Sequence, residues 1–399
     1  MELLCLVLSL IAALASLALT PLVRSLALRV GFIDRPGPRK IHSAPVSYGG
    51  GIAVALALGI ALGLGAFAWF NLLHAPDWKP LNEFLGVGTY ASDIGLSQQS
   101  SMMRVLLFCV GGAIGALILG IFDDIYRFKP WQKLAGQFVL AIIVVAGGVR
   151  ITALVGDNLA MQAATVLWIV LVTNSFNLLD NMDGLCSGTV AISAAALGLV
   201  AIGAGQPVLA LTLFSLAGAA LGFLRYNAAP ASIFLGDAGS MFAGFLMATL
   251  SVVTTYFHYR ESPLAMGVPL LVLAIPLYDT ASVLTIRFIE KRRLFQGDNS
   301  HFSHRLVSLG LSRRAAVGTI HLAALAIALP ATVIGRLSTE AGLILVGQAL
   351  LILTVIALLE HAGLKRGESN ATLPSQQPTV PSPNSTPTRP PTRDPGAAP

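Results

Sequence analysis

A chain of 399 residues that is 55% hydrophobic and only 11% charged lacks the polar surface of a soluble globule, in which about 25% of residues are charged. Its apolar residues gather in runs longer than about 18 residues, each able to cross a bilayer as a helix, so the composition excludes a large soluble protein and predicts an all-α polytopic membrane protein. The formal charge of +6 then reports loop orientation before it reports a ligand, and no nucleic-acid partner is expected.

Eleven transmembrane helices are predicted, at about 2–24, 47–70, 104–122, 132–149, 162–179, 187–205, 208–224, 239–257, 264–287, 315–334 and 341–359. Ala13 to Ala15 resembles a signal cleavage site, but Glu2 precedes the first apolar run while Arg24 and Arg29 follow it. That charge order is the reverse of a cleaved signal's and predicts a retained helix with its N-terminus outside. Threaded from there, the cytoplasmic segments carry about four times as many Lys and Arg residues as the outer ones, which supports this orientation and places the C-terminus in the cytoplasm. Trp69, Trp78 and Tyr90 suggest that the loop at about 71–103 caps the outer interface. Cys5, Cys109 and Cys186 have no zinc or redox spacing and read as buried thiols. The catalytic membrane domain is expected over 1–366. The Pro/Ser/Thr-rich stretch 367–399 has few apolar residues to pack and reads as a disordered cytoplasmic tail.

The polar clusters fall at the cytoplasmic ends of these spans. Asp123 and Asp124 end the third; Asn174, Asn177, Asp180 and Asp183 surround the exit of the fifth; Asp237 opens the eighth. His301, His304 and Arg305 lie in the basic loop after the ninth, and Arg39, Lys40 and His42 in the first cytoplasmic loop. Carboxylates at a membrane boundary are costly without a cation, a partner or water, so they mark a candidate site. The adjacent charges of Asp123 and Asp124 repel unless a metal or a Lys or Arg neutralises them. Oxygen ligands of this kind suit Mg²⁺, which binds through one or two carboxylates plus substrate phosphates. Lys40, His301, His304 and Arg305 supply donors for diphosphate oxygens. The set reads as magnesium-assisted phosphoryl transfer facing the cytosol. Each element also has a plainer reading. The Asp pair can be solvated charge, the basic loop can follow the positive-inside rule, Phe234 can be a core aromatic, and Asp279 reads as the structural partner of a neighbouring polar group.

Five blocks in order carry a resemblance. They are Arg39 to His42 with Pro45 and Gly49 to Gly51; Phe122, Asp123 and Asp124; Asn174, Asn177, Asp180, Asp183 and Gly184; Phe234, Gly236, Asp237, Gly239 and Ser240; and His301, His304 and Arg305. With these, residues 30–360 resemble the polyprenyl-phosphate N-acetylhexosamine-1-phosphate transferases. The resemblance implies an enzyme of the bacterial inner membrane that moves a sugar phosphate from a UDP-N-acetylhexosamine to undecaprenyl phosphate, a membrane lipid, leaving UMP. It implies Mg²⁺, with Mn²⁺ as a substitute, held by Asp237 and Asn177, and a uridine pocket of Asp180, Asp183 and Phe234. It implies donor contacts from His301, His304 and Arg305, a first-loop contribution from Lys40 and His42, and an acceptor-side role for Asp123 and Asp124; a homodimer is compatible with it. Asn181 stands where many members have Gly, Tyr48 where some have Arg, and Ile125 to Arg127 where a further acid is common, departures that bear on sugar specificity. The His301-x-x-His304 spacing and eleven spans resemble the UDP-GlcNAc type more than the phospho-MurNAc-pentapeptide transferases. A secondary transporter is the rival from another class, but it would hold polar groups near the midplane of repeated halves, and no repeat is visible.

Overall fold

The computed structural model describes residues 1–35, 45–72, 96–151, 157–258, 263–292 and 300–371. Its elements are α1 (Glu2–Val30), β1 (Ile33–Asp34), β2 (Val46–Ser47), α2 (Gly50–Leu72), α3 (Leu96–Tyr126), α4 (Pro130–Ala146), α5 (Leu159–Leu179), α6 (Leu185–Gly203) and α7 (Pro207–Asn227). They continue with α8 (Gly236–His258), a 3₁₀ turn (Pro263–Gly267), α9 (Val268–Val272), α10 (Ala274–Ile289), α11 (Phe302–Ser308), α12 (Arg313–Ala331), a second 3₁₀ turn (Ile334–Arg336) and α13 (Thr339–Ala371). Among the described residues, nine helices are long and apolar enough to cross a membrane.

The two other predicted spans take different forms. The fourth is α4, apolar but only 17 residues long. The ninth is α9 and α10, whose axes differ by 70° across Leu273. The cause of the break is local. Pro276 has no N–H to offer the Val272 carbonyl, and its ring would clash with it in a continuous helix. That carbonyl accepts instead from Ser193 Oγ at 3.1 Å, which meets the requirement that backbone groups at membrane depth find a partner.

Apolar side chains face outward on the peripheral helices and small or polar ones face inward. On α1, Leu14, Leu22 and Leu26 are exposed while Ser16 and Thr20 are buried, and Thr20 Oγ1 donates to the Ser16 carbonyl at 2.6 Å. Lipid tails give no drive for Leu to leave the surface, so helices associate through close approach of small residues. Gly218 and Gly222 of α7 do this against α1: a Cβ at either would fall 2.0 Å from Ser9 O or 2.3 Å from Ala13 O. Helix α8 sits at the centre, with 94% of its span buried, against α2, α3, α5 and α6. Gly120 of α3 lets the start of α8 come close, since a Cβ there would lie 2.4 Å from Asp237 O.

A short strand pair fastens the chain at that end of α8. Ile33 pairs with Ser47 and Asp34 with Val46, antiparallel. Phe234 N–H donates to Ser47 O at 2.9 Å, and Gly50 and Gly51 donate to the carbonyls of Phe234 and Leu235 at 3.0 and 3.1 Å. The Gly-rich start of α2 and the residues before α8 are thus held side by side. Helix α13 runs through Ala371; most of the expected tail, from 372 on, and the outer-loop residues Trp78 and Tyr90 lie outside the described residues.

Candidate active site

The ends of α3, α5 and α8, the loop after α5, and the starts of α11 and α12 converge on a cleft of about 540 Å³. The two acids of the Asp pair are neutralised differently. Asp124 turns its carboxylate to the start of α8, accepting from the N–H of Asp237 at 2.9 Å and of Ala238 at 3.1 Å. It caps a helix N-terminus whose amides and dipole favour an anion. Gly236, at φ 75°, makes the turn, and a Cβ there would lie 2.8 Å from Asp124 Oδ2. Asp123 accepts from Phe128 N–H at 2.8 Å and pairs with Lys133 of α4 at 2.7 Å.

Lys133 also reaches Asp237, with Nζ 2.8 Å from Oδ1. One ammonium therefore bridges two carboxylates carried by α3 and α8. Asn177 of α5 donates to the same Asp237 oxygen and to Ser240 Oγ at 2.8 Å, so its amide nitrogen is committed and its carbonyl oxygen is the atom suited to a cation. Asp180 follows α5 and faces the same cleft. Burial, then the nearby charges of Asp237 and Asp124, push its carboxyl up to about 8, against the lowering effect of the Gly236 amide.

Aromatic rings stand close to these acids in the same cleft: a Cβ at Gly236 would lie 3.2 Å from Tyr48 Cδ1 as well as 2.8 Å from Asp124 Oδ2. Phe234 and Tyr48 line the cleft with ring centroids 6.3 Å apart, and Tyr48 stands 5.5 Å from Phe32. Burial, then Asp34, pushes the Tyr48 hydroxyl above its ordinary value. Asp183 lines the same cleft while Oδ2 accepts from Ala231 N–H at 2.9 Å. Buried Asn227 ties the start of α6 to the residues before α8: Oδ1 accepts from Gly184 N–H and Ser187 Oγ, and Nδ2 donates to Ile233 O.

The histidine block divides. His304 lines the cleft, as does Arg313 at the start of α12. His301 is buried, its Nδ1 2.9 Å from Asp279 Oδ2, and Phe302 N–H donates to the other oxygen at 2.6 Å. Asp279 is thus the structural partner expected of it. Arg305 is also buried and turns to Glu360 of α13, so neither His301 nor Arg305 lines the cleft as the donor-binding reading would have them do. Lys40 and His42 lie outside the described residues. Asp123, Asp124, Asn177, Asp180, Asp183, Phe234, Asp237 and His304 do come together, either in the cleft wall or, for Asp123, one contact behind it.

Sequence reasoning missed Lys133, which it counted only toward loop charge, and Arg313. It noted Tyr48 and Asn181 only as departures; both line the cleft, and Asn181 accepts from Ser303 Oγ. The one available signal for Lys133 was its place nine residues after Asp124, on the next helix at the same membrane end. As a metal site the cleft offers hard oxygens, Asp237 and Asn177 first, which suits Mg²⁺ with substrate phosphates completing the shell. Among the described residues no three His, Cys, Asp or Glu side chains gather as a closed metal cage.

Residues 106–255 match the family model described as glycosyl transferase family 4. The chain is 28% identical over 356 residues to a probable undecaprenyl-phosphate N-acetylglucosaminyl 1-phosphate transferase of Bacillus subtilis, covering 87% of this chain and 89% of that protein. It is 30% identical over 327 residues to a decaprenyl-phosphate N-acetylglucosaminephosphotransferase of Mycobacterium tuberculosis, covering 75% of each. A Salmonella typhi undecaprenyl-phosphate alpha-N-acetylglucosaminyl 1-phosphate transferase is 27% identical over 307 residues, 76% of each chain. With the five motif blocks and these similarities along most of its length, the chain belongs to glycosyl transferase family 4, the family of the polyprenyl-phosphate N-acetylglucosaminyl 1-phosphate transferases.

Proposed function

We propose that this multi-pass membrane enzyme transfers GlcNAc 1-phosphate from UDP-GlcNAc to undecaprenyl phosphate, releasing UMP and starting a cell-envelope polysaccharide. The observation that carries the reading is one cleft lined by two kinds of group: Asp237 and Asn177, with Lys133 paired to Asp237 from behind, and the Phe234 and Tyr48 rings with Asp183. The first set suits a diphosphate and its counter-cation; the second suits a nucleobase, which stacks on aromatic faces. The relatives' named activities support the sugar and the class of acceptor.

The chemistry asked of the chain is mainly positioning and charge stabilisation. An acceptor phosphate oxygen forms a bond to the β-phosphorus as the bond to the UMP oxygen breaks. A phosphomonoester has its second pKa near 6, so the acceptor is mostly dianionic at pH 7 and needs little help from a base. Asp124, with both oxygens engaged by the α8 amides, and Asp123, paired with Lys133, are better placed to organise the site than to attack phosphorus. This favours one displacement, with inversion at phosphorus. Asp237 and Asn177 would hold Mg²⁺, or Mn²⁺ in its place, and the ion would supply charge neutralisation on the donor diphosphate.

The setting we propose is the bacterial inner membrane, crossed eleven times if α4 and the bent α9–α10 pair each count as a span, with the N-terminus outside and the cleft cytoplasmic. The Lys and Arg distribution supports this. Single cysteines introduced beside Arg127 and Arg292 should resist impermeant thiol reagents added to intact cells; ready labelling of both would reverse the orientation. The function is tested by incubating purified protein with undecaprenyl phosphate, Mg²⁺ and a panel of UDP-sugars, followed by mass spectrometry of the lipid. A GlcNAc diphospholipid and UMP are expected. Lipid product from UDP-MurNAc-pentapeptide alone, or solute flux without lipid product, would overturn the reading.

A further inference from the structure

The block His301 to Arg305 sends one side chain to the cleft and ties the others into the protein. His304 lines the cleft. The guanidinium of Arg305, from the next residue along α11, leaves the cleft for α13. Its Nη2 lies 3.1 Å from each oxygen of Glu360 and 2.8 Å from Ser282 Oγ, and its Nη1 donates to Ser300 O. Tyr278 of α10 donates to Glu360 Oε2 at 2.6 Å and meets the Phe302 ring edge-on at 5.6 Å.

The Arg305 and Glu360 side chains are only 5% and 6% exposed. Among the described residues Arg305 Nε and Glu360 Oε1 complete no hydrogen bond of good geometry. A buried ion pair short of hydrogen bonds is a poor source of stability, because desolvation opposes the Coulomb attraction. In some proteins such a pair instead fixes the register between two elements. Here the elements are α13, which lines no part of the cleft, and the short helix that carries His304.

We propose that Glu360 is a positioning residue: through Arg305 and Tyr278 it sets α11 so that His304 faces the bound nucleotide-sugar, which makes α13 part of the catalytic apparatus. The inference rests on the cleft being the donor site. It assigns Arg305 to the scaffold and leaves the donor to His304.

The test reads position 304 directly. The native cysteines, Cys5, Cys109 and Cys186, are all buried, so a His304→Cys substitution in the full chain provides the accessible thiol for a charged reagent. UMP is expected to slow its labelling at least fivefold. Adding Glu360→Gln, or the milder Tyr278→Phe, should cut that protection to less than twofold while Phe234-dependent UMP binding persists. In the otherwise native chain, Glu360→Gln should lower turnover at least tenfold, and Glu360→Asp should restore at least half of the parent rate. Equal protection with and without Glu360 overturns the inference even if turnover falls, since the loss would then not run through His304. Undiminished turnover in Glu360→Gln overturns it as well. Failure of UMP to protect position 304 in the parent background removes His304 from the donor site and the inference with it, whereas the UDP-sugar assay judges the proposed function separately.

Discussion

Two charged clusters at the same end of the bundle behave in opposite ways. Around α8, Asp123, Asp237 and Lys133 hold one another in a cluster that opens on the cleft, with the Asp237 side chain 34% exposed. Around α11, Arg305, Glu360 and Tyr278 close on themselves away from it. Both use residue types that suit phosphate chemistry, and both sit where charge is costly in a membrane protein. The difference is what surrounds them. The first borders the cleft at the start of α8; the second is packed between α10, α11 and α13. A charge is available for substrate only where packing leaves it a side to offer.

That contrast can be broken or sharpened by substitution. The largest effect is expected for Asp237→Asn, which removes the carboxylate shared by Lys133 and Asn177 while keeping the shape. Turnover should fall on the order of 10²–10³-fold, the loss typical of removing one preorganised charge-stabilising group, with normal folding in detergent. Near-parent activity at limiting Mg²⁺ would sever the cluster from the chemistry. Lys133→Met comes next. It leaves Asp123 and Asp237 facing each other without their cation, and turnover should drop roughly a hundredfold, with Asp123→Asn in the same chain recovering part of the loss. No recovery in the double variant would show that Lys133 serves the substrate rather than the pair.

Around the aromatic rings the expected change is smaller. Phe234→Ala should weaken UMP binding about tenfold, since stacking on an aromatic contributes roughly 1–3 kcal/mol per base, and Asp183→Ala by a similar factor, since a hydrogen bond to a charged group contributes roughly 1.5–3 kcal/mol. Calorimetric titration giving parent affinity in both would move the nucleotide elsewhere. The smallest effect is a slope. The Asp180 carboxyl, at about 8 in the folded chain against an ordinary 3.8, holds its proton more tightly folded than unfolded. Its contribution to stability is therefore full below about pH 4 and is lost as pH rises through 8. Without donor or divalent cation, Tm should decline by a few degrees between pH 6 and 9, and Asp180→Asn should flatten that decline. A parallel slope in the variant would assign it to another group.

Much of this protein was legible in one dimension. Long apolar runs dictate helices because no other element satisfies its own backbone in lipid, and the predicted spans fall on helical residues, the fourth on the short α4 and the ninth on the broken α9–α10 pair. The acids at span ends marked the site because charge at a membrane boundary needs a reason. The bend at Leu273 was readable in principle from Pro276, but the donor that satisfies the freed Val272 carbonyl, Ser193 on α6, was not. The roles inside the motifs were decided only by tertiary contact. Asp123 and Asp124 are neighbours in the chain, yet one is neutralised by a lysine on another helix and the other by the amides of a third. His304 and Arg305 are neighbours too, and a helix places successive side chains about 100° apart, so one meets the cleft and the other a glutamate 55 residues away. Residue type and order determined a chain of membrane-length helices with acids gathered at their ends; the packing of α3, α4, α8 and α13 decided which charges face the cleft and which are tied to one another, because proximity across helices is a property of the fold and not of the spacing.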